Sequence, residues 1–233
     1  MSSILLHQPL GLGDHVVCNG LIREYCKRYD RVGLFCFPYY RPSVSFMFRD
    51  LPNLYLETTH SHKETSRFLL HNALGLSPRR YAKSKMVGAY SQETGIQYQQ
   101  QFYKMADLPF STMYESFLLP RDYEREEVLF KKLALPENYL FVHDDARFPL
   151  DDTRISSSLP IIRADMTPTD TIFDYCNVIE HASEIHVIDS VFMFIVDFMP
   201  YKNKGQKLFV HRYTRINSPW NLPVLQKEWQ ILW

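Results

Sequence analysis

The sequence predicts an α/β protein made of two lobes, each with a parallel sheet, that face a central cleft. Short apolar runs such as Ile4–Leu6 and Val32–Phe37 alternate with longer segments whose apolar residues recur at helical spacing. Apolar runs without polar alternation are typical of parallel strands covered on both faces. An aperiodic, proline-bearing stretch at 108–120 separates two such series. We therefore place a boundary near residue 120, with one lobe at 1–120 and the other at 121–233.

The first lobe is predicted to begin with a strand, a glycine turn and a helix. Val17, Leu21, Ile22 and Tyr25 lie on one face of that helix. Three apolar runs predict the strands, at 4–6, 32–37 and 53–57. Three further segments predict helices, at 43–49 after Pro42, at 63–74 and at 93–107. A basic run at 79–85 is typical of solvated surface, with contact to an acidic group as the alternative.

The second lobe repeats the alternation. A charged helix is predicted at 122–133, and Thr167 with Pro168 predicts the start of another helix. Four apolar runs predict strands, at 139–143, 159–162, 184–188 and 207–211. The helix at 191–199 is almost wholly apolar and must be buried. The amphipathic tail at 222–233 is predicted to pack against the body of the lobe.

Composition excludes several functional classes. The chain of 233 residues has 26 basic and 26 acidic residues, so no long-range field gathers nucleic acid or an anionic membrane. Aromatic residues make up 15% and charged residues 22%, which predicts a packed core with a ligand cleft rather than disorder.

Cysteine usage and hydropathy predict a cytoplasmic protein. The four cysteines form no C-x-x-C pair, so we expect small core residues in a reducing compartment. No apolar run approaches the ~20 residues that cross a bilayer. The first residues lack a basic segment, which predicts no signal peptide.

The glycine turn is the first candidate site. Gly11 and Gly13 let the backbone turn tightly and approach a bound group, and Asp14 follows them directly. Asp14 is either the N-cap of the helix or a carboxylate available as a general base. A nicotinamide fingerprint would need a glycine where Val16 stands, so that interpretation loses its main support.

The second candidate site follows two strands of the second lobe. Asp189 and Ser190 are either helix caps or, with the amides of Val191 and Phe192, a site for a diphosphate. Because parallel strands end at one edge of a sheet, the loop after residue 143 is expected nearby.

That loop contains three candidate residues. Arg147 either clamps phosphate or pairs with Asp144, Asp145 or Asp151. His143 is either a core histidine or a ligand contact, and Asp145 is a further candidate contact. Adjacent carboxylates at 144 and 145 point to opposite faces, so we expect no required metal.

These motifs resemble those of the GT-B glycosyltransferases of the heptosyltransferase type, the glycosyltransferase family 9-like group. The resemblance rests on Gly-x-Gly-Asp after the first strand and on Asp-Ser between a late strand and a buried helix. It implies two Rossmann-like lobes, with Asp14 as base on the acceptor and Asp189 and Ser190 at the donor phosphates. Arg147 is the nearest match to a basic residue that assists the leaving diphosphate. The chain departs from the family in lacking the glycine after Asp-Ser and the lysine-bearing motif of the second lobe.

The predicted function is an inverting, metal-independent glycosyltransferase without a cofactor. Its partners would be a nucleotide-sugar donor at the C-terminal lobe and a glycan acceptor at the N-terminal lobe. Two alternatives remain open: a non-catalytic protein that binds a glycan or a partner, and another nucleotide-dependent α/β enzyme.

Overall fold

A computed structural model describes residues 2–8, 10–77, 79–88, 96–200, 205–216 and 221–233. The described chain divides into two compact units, Met1–Pro120 (unit 1) and Arg121–Trp233 (unit 2). Each unit contains one sheet whose strands are all parallel. The predicted α/β class with two parallel sheets is confirmed.

Unit 1 has a four-stranded sheet in the order β3-β2-β1-β4. Its strands are β1 (Ser3–His7), β2 (Arg31–Cys36), β3 (Leu54–Thr58) and β4 (Lys83–Met86). Its helices are α1 (Leu12–Val17), α2 (Asn19–Arg28), α3 (Arg41–Met47), α4 (His62–Ala73), α5 (Tyr98–Met105) and α6 (Thr112–Glu115). β1 and β2 are central and almost wholly buried, as their continuous apolar runs predict.

Unit 2 has a five-stranded sheet in the order β6-β5-β7-β8-β9. Its strands are β5 (Leu140–His143), β6 (Ile161–Arg163), β7 (Glu184–Val187), β8 (Lys207–His211) and β9 (Trp229–Leu232). Its helices are α7 (Tyr123–Leu133), α8 (Cys176–His181) and α9 (Val191–Phe198). The apolar helix α9 is buried along nearly its whole length, as predicted.

Two strands lie where the sequence predicts none. β4 falls in the basic run at 79–85, whose composition predicts solvated surface, and it pairs with β1 at the edge of the sheet. A charged edge strand lacks the apolar run of a central strand, so the hydrophobicity pattern does not predict it. β9 lies in the predicted amphipathic tail and pairs with β8. The basic run also reaches acidic groups, because Arg79 pairs with Glu57 and Lys85 with Asp107.

Other predictions need correction at their boundaries. The stretch at 108–120 is more than a connection, because it contains α6, which packs on α2 within unit 1. The helix predicted from 93 begins at Tyr98, and residues 93–95 lie outside the described ranges. The helix predicted from Thr167 begins later: residues 167 and 168 form a turn, in which the carboxylate of Asp165 accepts the N–H and hydroxyl of Thr167. A 3₁₀ turn capped by Thr171 leads instead into α8.

Cys18, Cys36 and Cys176 are buried, Cys26 is half-buried, and all four are free thiols. Burial raises the pKa of each thiol, so these side chains behave as small apolar groups.

Candidate functional site

The glycine turn follows β1, and its geometry differs from the predicted N-cap at Asp14. α1 begins at Leu12 with Gly11 as its N-cap residue. Asp14 is the third helical residue, half-buried, and its Oδ2 accepts the N–H of Gly11 at 3.2 Å. The N-cap alternative for Asp14 is therefore wrong: the carboxylate reaches back over the turn from inside the helix.

Gly11 lies close against this carboxylate. A Cβ atom at residue 11 would lie 2.6 Å from Oδ2 of Asp14, so a side chain there would require the carboxylate to shift. Gly13 lies in the first turn of α1, half-buried, between the two residues of this contact.

Beneath α1, two buried side chains tie the helix to the sheet. Nε2 of Gln8 donates to the carbonyl of Phe35 at 2.8 Å and lies 3.4 Å from Nδ1 of His15. Burial lowers the pKa of His15 to about 3, so the imidazole is neutral near pH 7. These contacts fix α1, and with it Asp14, at the carboxyl end of β1.

In unit 2, His143 and Ser190 meet at the ends of β5 and β7. Nδ1 of His143 lies 3.1 Å from Oγ of Ser190, and the imidazole lies 4.3 Å from the Phe192 ring. Burial lowers the pKa of His143 to about 4, so it is neutral near pH 7. Ser190 occupies the N-cap position of α9 without a side-chain hydrogen bond to the helix. Ser190 is therefore the N-cap residue of α9, as the helix-cap alternative predicts, but its hydroxyl contacts His143 rather than the backbone of the helix.

Asp189 forms a buried ion pair with Arg212, a residue in the turn after β8. Burial raises the pKa of Asp189, while the charges of Arg212 and Arg215 oppose that rise. The sequence did not indicate either arginine, because both follow the strand as isolated basic residues with no motif.

Arg147 lies in the loop after β5 and pairs within that loop. Its Nε and Nη2 each donate to the carboxylate of Asp145 at 2.9 Å, and its side chain is 76% exposed. The ion pair holds the pKa of Asp145 well below its usual range. Asp144 accepts instead from the Leu150 N–H and from Arg163. Of the two alternatives for Arg147, the structure contains the pairing with Asp145.

A second feature that the sequence did not indicate is a line of polar groups on unit 2's sheet. Nδ1 of His186 lies 2.9 Å from Nε2 of His211, whose Nδ1 lies 3.2 Å from the Tyr213 hydroxyl. The Tyr213 hydroxyl accepts the N–H of Asp151 at 3.0 Å. In the sequence, the only sign of this line is that each of two predicted strands carries a histidine, His186 in one and His211 in the next.

Each unit thus groups its own predicted residues. Unit 1 brings together Gly11, Gly13 and Asp14. Unit 2 brings the following residues to one edge of its sheet: His143, Asp189, Ser190, Val191 and Phe192. Within the described ranges, no three His, Cys, Asp or Glu side chains are arranged to hold a metal ion. In the same ranges no helix has the length and apolar character to span a bilayer.

Neither known protein-family patterns nor curated protein sequences match this chain. Solved structures do match it. ADP-heptose LPS heptosyltransferase II of E. coli is 13% identical with a TM-score of 0.57, covering 100% of this chain and 90% of that one. A glycosyl transferase of family 9 from Veillonella parvula DSM 2008 is 9% identical with a TM-score of 0.53, covering 90% and 81%.

The iron-containing dodecameric glycosyltransferase TibC from enterotoxigenic E. coli H10407 is also similar, at 9% identity and a TM-score of 0.52. The match covers 89% of this chain but only 62% of TibC. At these identities the shared property is the fold. The chain has the GT-B fold seen in heptosyltransferases of family 9, which confirms the predicted resemblance.

Proposed function

We propose that the protein is an inverting, metal-independent glycosyltransferase. It moves a hexosyl or pentosyl group from a nucleotide-diphosphate sugar to a glycan hydroxyl. The observation that carries the proposal is the fold, which both units share with known glycosyltransferases over the whole chain. Fold alone does not determine chemistry, so the proposal also needs residues with suitable roles.

Asp14 is the proposed general base in unit 1. Its carboxylate is held at the carboxyl end of β1, the end at which α/β sheets bind ligands. In an inverting transfer the carboxylate accepts the proton of the acceptor hydroxyl as the hydroxyl oxygen attacks the anomeric carbon. The bond from that carbon to the diphosphate oxygen breaks, and the electron pair leaves with the nucleoside diphosphate.

The proposed donor site lies at the start of α9 in unit 2. Ser190 and the amides of Val191 and Phe192 would bind the diphosphate, because a helix N-terminus favours anions. His143 positions the Ser190 hydroxyl through the 3.1 Å contact. Arg147 is the proposed cation for the leaving group, with Asp145 holding its guanidinium.

Asp14→Asn tests the base directly. We expect transfer to fall about a hundredfold or more, because the amide cannot accept the proton, while nucleotide affinity stays unchanged. The assay follows nucleoside diphosphate release from a panel of nucleotide sugars, with and without glycan acceptors.

The matched control is Glu64→Gln. Glu64 is also the third residue of its helix, α4, and its carboxylate accepts the His60 N–H at 2.7 Å. If Asp14 only caps α1, both variants will keep full activity and Asp14 is not the base. If the wild-type protein neither binds a nucleotide nor transfers a sugar, the proposal is wrong and the non-catalytic binding protein is favoured.

A further inference from the structure

The turn after β8 presents two arginines to the start of α9. Residues Arg212–Arg215 form a 3₁₀ turn, in which side chains three residues apart lie on the same side. Arg212 is committed to Asp189: the two side chains form an ion pair and are only 4% and 11% exposed. Arg215 is the second cation on that side.

Arg215 contributes a second positive charge near the Asp189 carboxylate. Its charge acts on Asp189 together with that of Arg212, so two guanidinium groups face one carboxylate. Within the described ranges, the Nε of Arg215 is buried and has no hydrogen-bond partner. Arg215 as a whole is half-buried, and an unsatisfied donor on a cation with restricted access to water favours an anionic acceptor.

Arg215 is also held in place. Its Cζ lies 4.5 Å from the centroid of the Phe148 ring, in the loop after β5. A guanidinium on an aromatic face keeps its in-plane donors available for a phosphate. That loop is itself ordered by the hydrogen bond from the Phe148 N–H to the Asp145 carbonyl, 2.7 Å long. Arg147, by contrast, uses Nε and Nη2 on Asp145 in the same loop.

We propose that Arg215 binds the diphosphate of the donor, with Arg212 as the positioning residue that neutralises Asp189. The inference rests on the proposed function and adds a residue that no motif indicated. The ligand class is a nucleoside diphosphate or its sugar ester. Neutralising Asp189 matters because its carboxylate would otherwise repel the diphosphate next to Ser190.

The test measures binding of ADP, GDP, UDP, CDP and dTDP, of the corresponding nucleosides, and of inorganic pyrophosphate, by calorimetry. For the diphosphate that binds, we expect Arg215→Gln to weaken affinity at least tenfold and to leave the affinity of its nucleoside unchanged. Arg215→Lys should recover part of the loss, because it keeps the charge but not the fork of donors. Equal melting temperatures of the variants show that the fold is intact.

Arg154→Gln is the matched control. Arg154 also stacks on an aromatic ring, with its Cζ 4.0 Å from the Tyr213 centroid, but it donates to the Trp233 carbonyl rather than facing Asp189. Its loss should change affinity less than twofold. If Arg215→Gln binds the diphosphate as tightly as wild type, the assignment of Arg215 is wrong while the proposed function stands.

Pyrophosphate separates the two proposals. If wild type binds pyrophosphate through Arg215 but prefers no nucleotide, the anion site stands and the proposed function fails. If wild type binds neither nucleotides nor pyrophosphate, both proposals are overturned.

Discussion

At the scale of single residues, Gly20 shows how closely unit 1 is packed. Gly20 lies in α2, and a Cβ atom there would lie 2.3 Å from the carbonyl oxygen of Thr112 in α6. That oxygen belongs to the backbone, so the neighbour cannot rotate away. Helix α6 can approach α2 this closely only because residue 20 has no side chain.

We therefore expect Gly20→Ala to destabilise the protein by about 1–3 kcal/mol, although alanine is the better helix former. Urea unfolding measures the change, with Arg28→Ala on the exposed end of α2 as the control, expected within about 0.5 kcal/mol of wild type. A more stable Gly20→Ala variant would contradict the close contact.

The same scale shows what sequence could not predict about the candidate site. The Gly-x-Gly-Asp spacing placed Asp14 at the carboxyl end of β1. It did not reveal that Asp14 accepts the Gly11 N–H from inside the helix. The sequence does not indicate Arg212, because its role depends on Asp189, which lies 23 residues away in the chain. Only the pairing of β7 with β8 brings the two residues together.

At the scale of elements, β9 depends on a buried carboxylate in α9. Asp197 is 2% exposed, and its oxygens accept the N–H groups of Gln226 and Lys227 and the indole N–H of Trp229. These hydrogen bonds hold the segment that leads into β9. A single helix residue therefore anchors the edge strand of unit 2.

Asp197→Ala should destabilise the protein by about 3 kcal/mol, because it leaves three part-buried donors without their acceptor. Hydrogen exchange should show β9 amides losing protection before those of β5 and β7. Asp197→Asn keeps one acceptor oxygen and should therefore lose less stability than Asp197→Ala. Unchanged protection of β9 in Asp197→Ala would show that strand pairing alone holds it.

Elements also differ in how well their patterns predict them. Central strands such as β2 and β5 are buried on both faces, so their apolar runs stand out in the sequence. The edge strands β4 and β9 are largely exposed or half-buried, and polar residues occupy positions that a central strand would fill with apolar ones. Their pairing with β1 and β8 is a tertiary effect that a local pattern does not contain.

At the scale of the whole molecule, buried neutral histidines in both units link stability to pH. Burial lowers the pKa of His15 to about 3 and those of His143 and His211 to about 4, from an ordinary value of 6.5. Below pH 6.5 the unfolded chain binds protons at these residues that the folded chain does not. The free energy of unfolding therefore falls as pH falls from 6.5 towards 4.

We expect the slope to approach about 1.4 kcal/mol per pH unit for each histidine well below pH 6.5. Urea unfolding at pH 7.0, 6.0 and 5.0 measures the slope, and the contribution of these histidines should level off as the pH reaches 7. In His211→Gln, the free energy of unfolding should depend less steeply on pH. A stability that stays constant between pH 7 and 5 would contradict the burial of these imidazoles as neutral groups.

The hydrogen-bonded line from His186 through His211 to Tyr213 can be observed by NMR, through the ring nitrogens of the two histidines. Because two neutral imidazoles share one hydrogen bond, one nitrogen donates and the other accepts, and nitrogen chemical shifts distinguish the two tautomers. Tyr213 occupies the same turn as Arg212 and Arg215, so any ligand that moves this turn alters the far end of the line. Binding of the proposed diphosphate at this turn would then change the nitrogen chemical shifts of these buried histidines, which NMR measures without a label on the ligand.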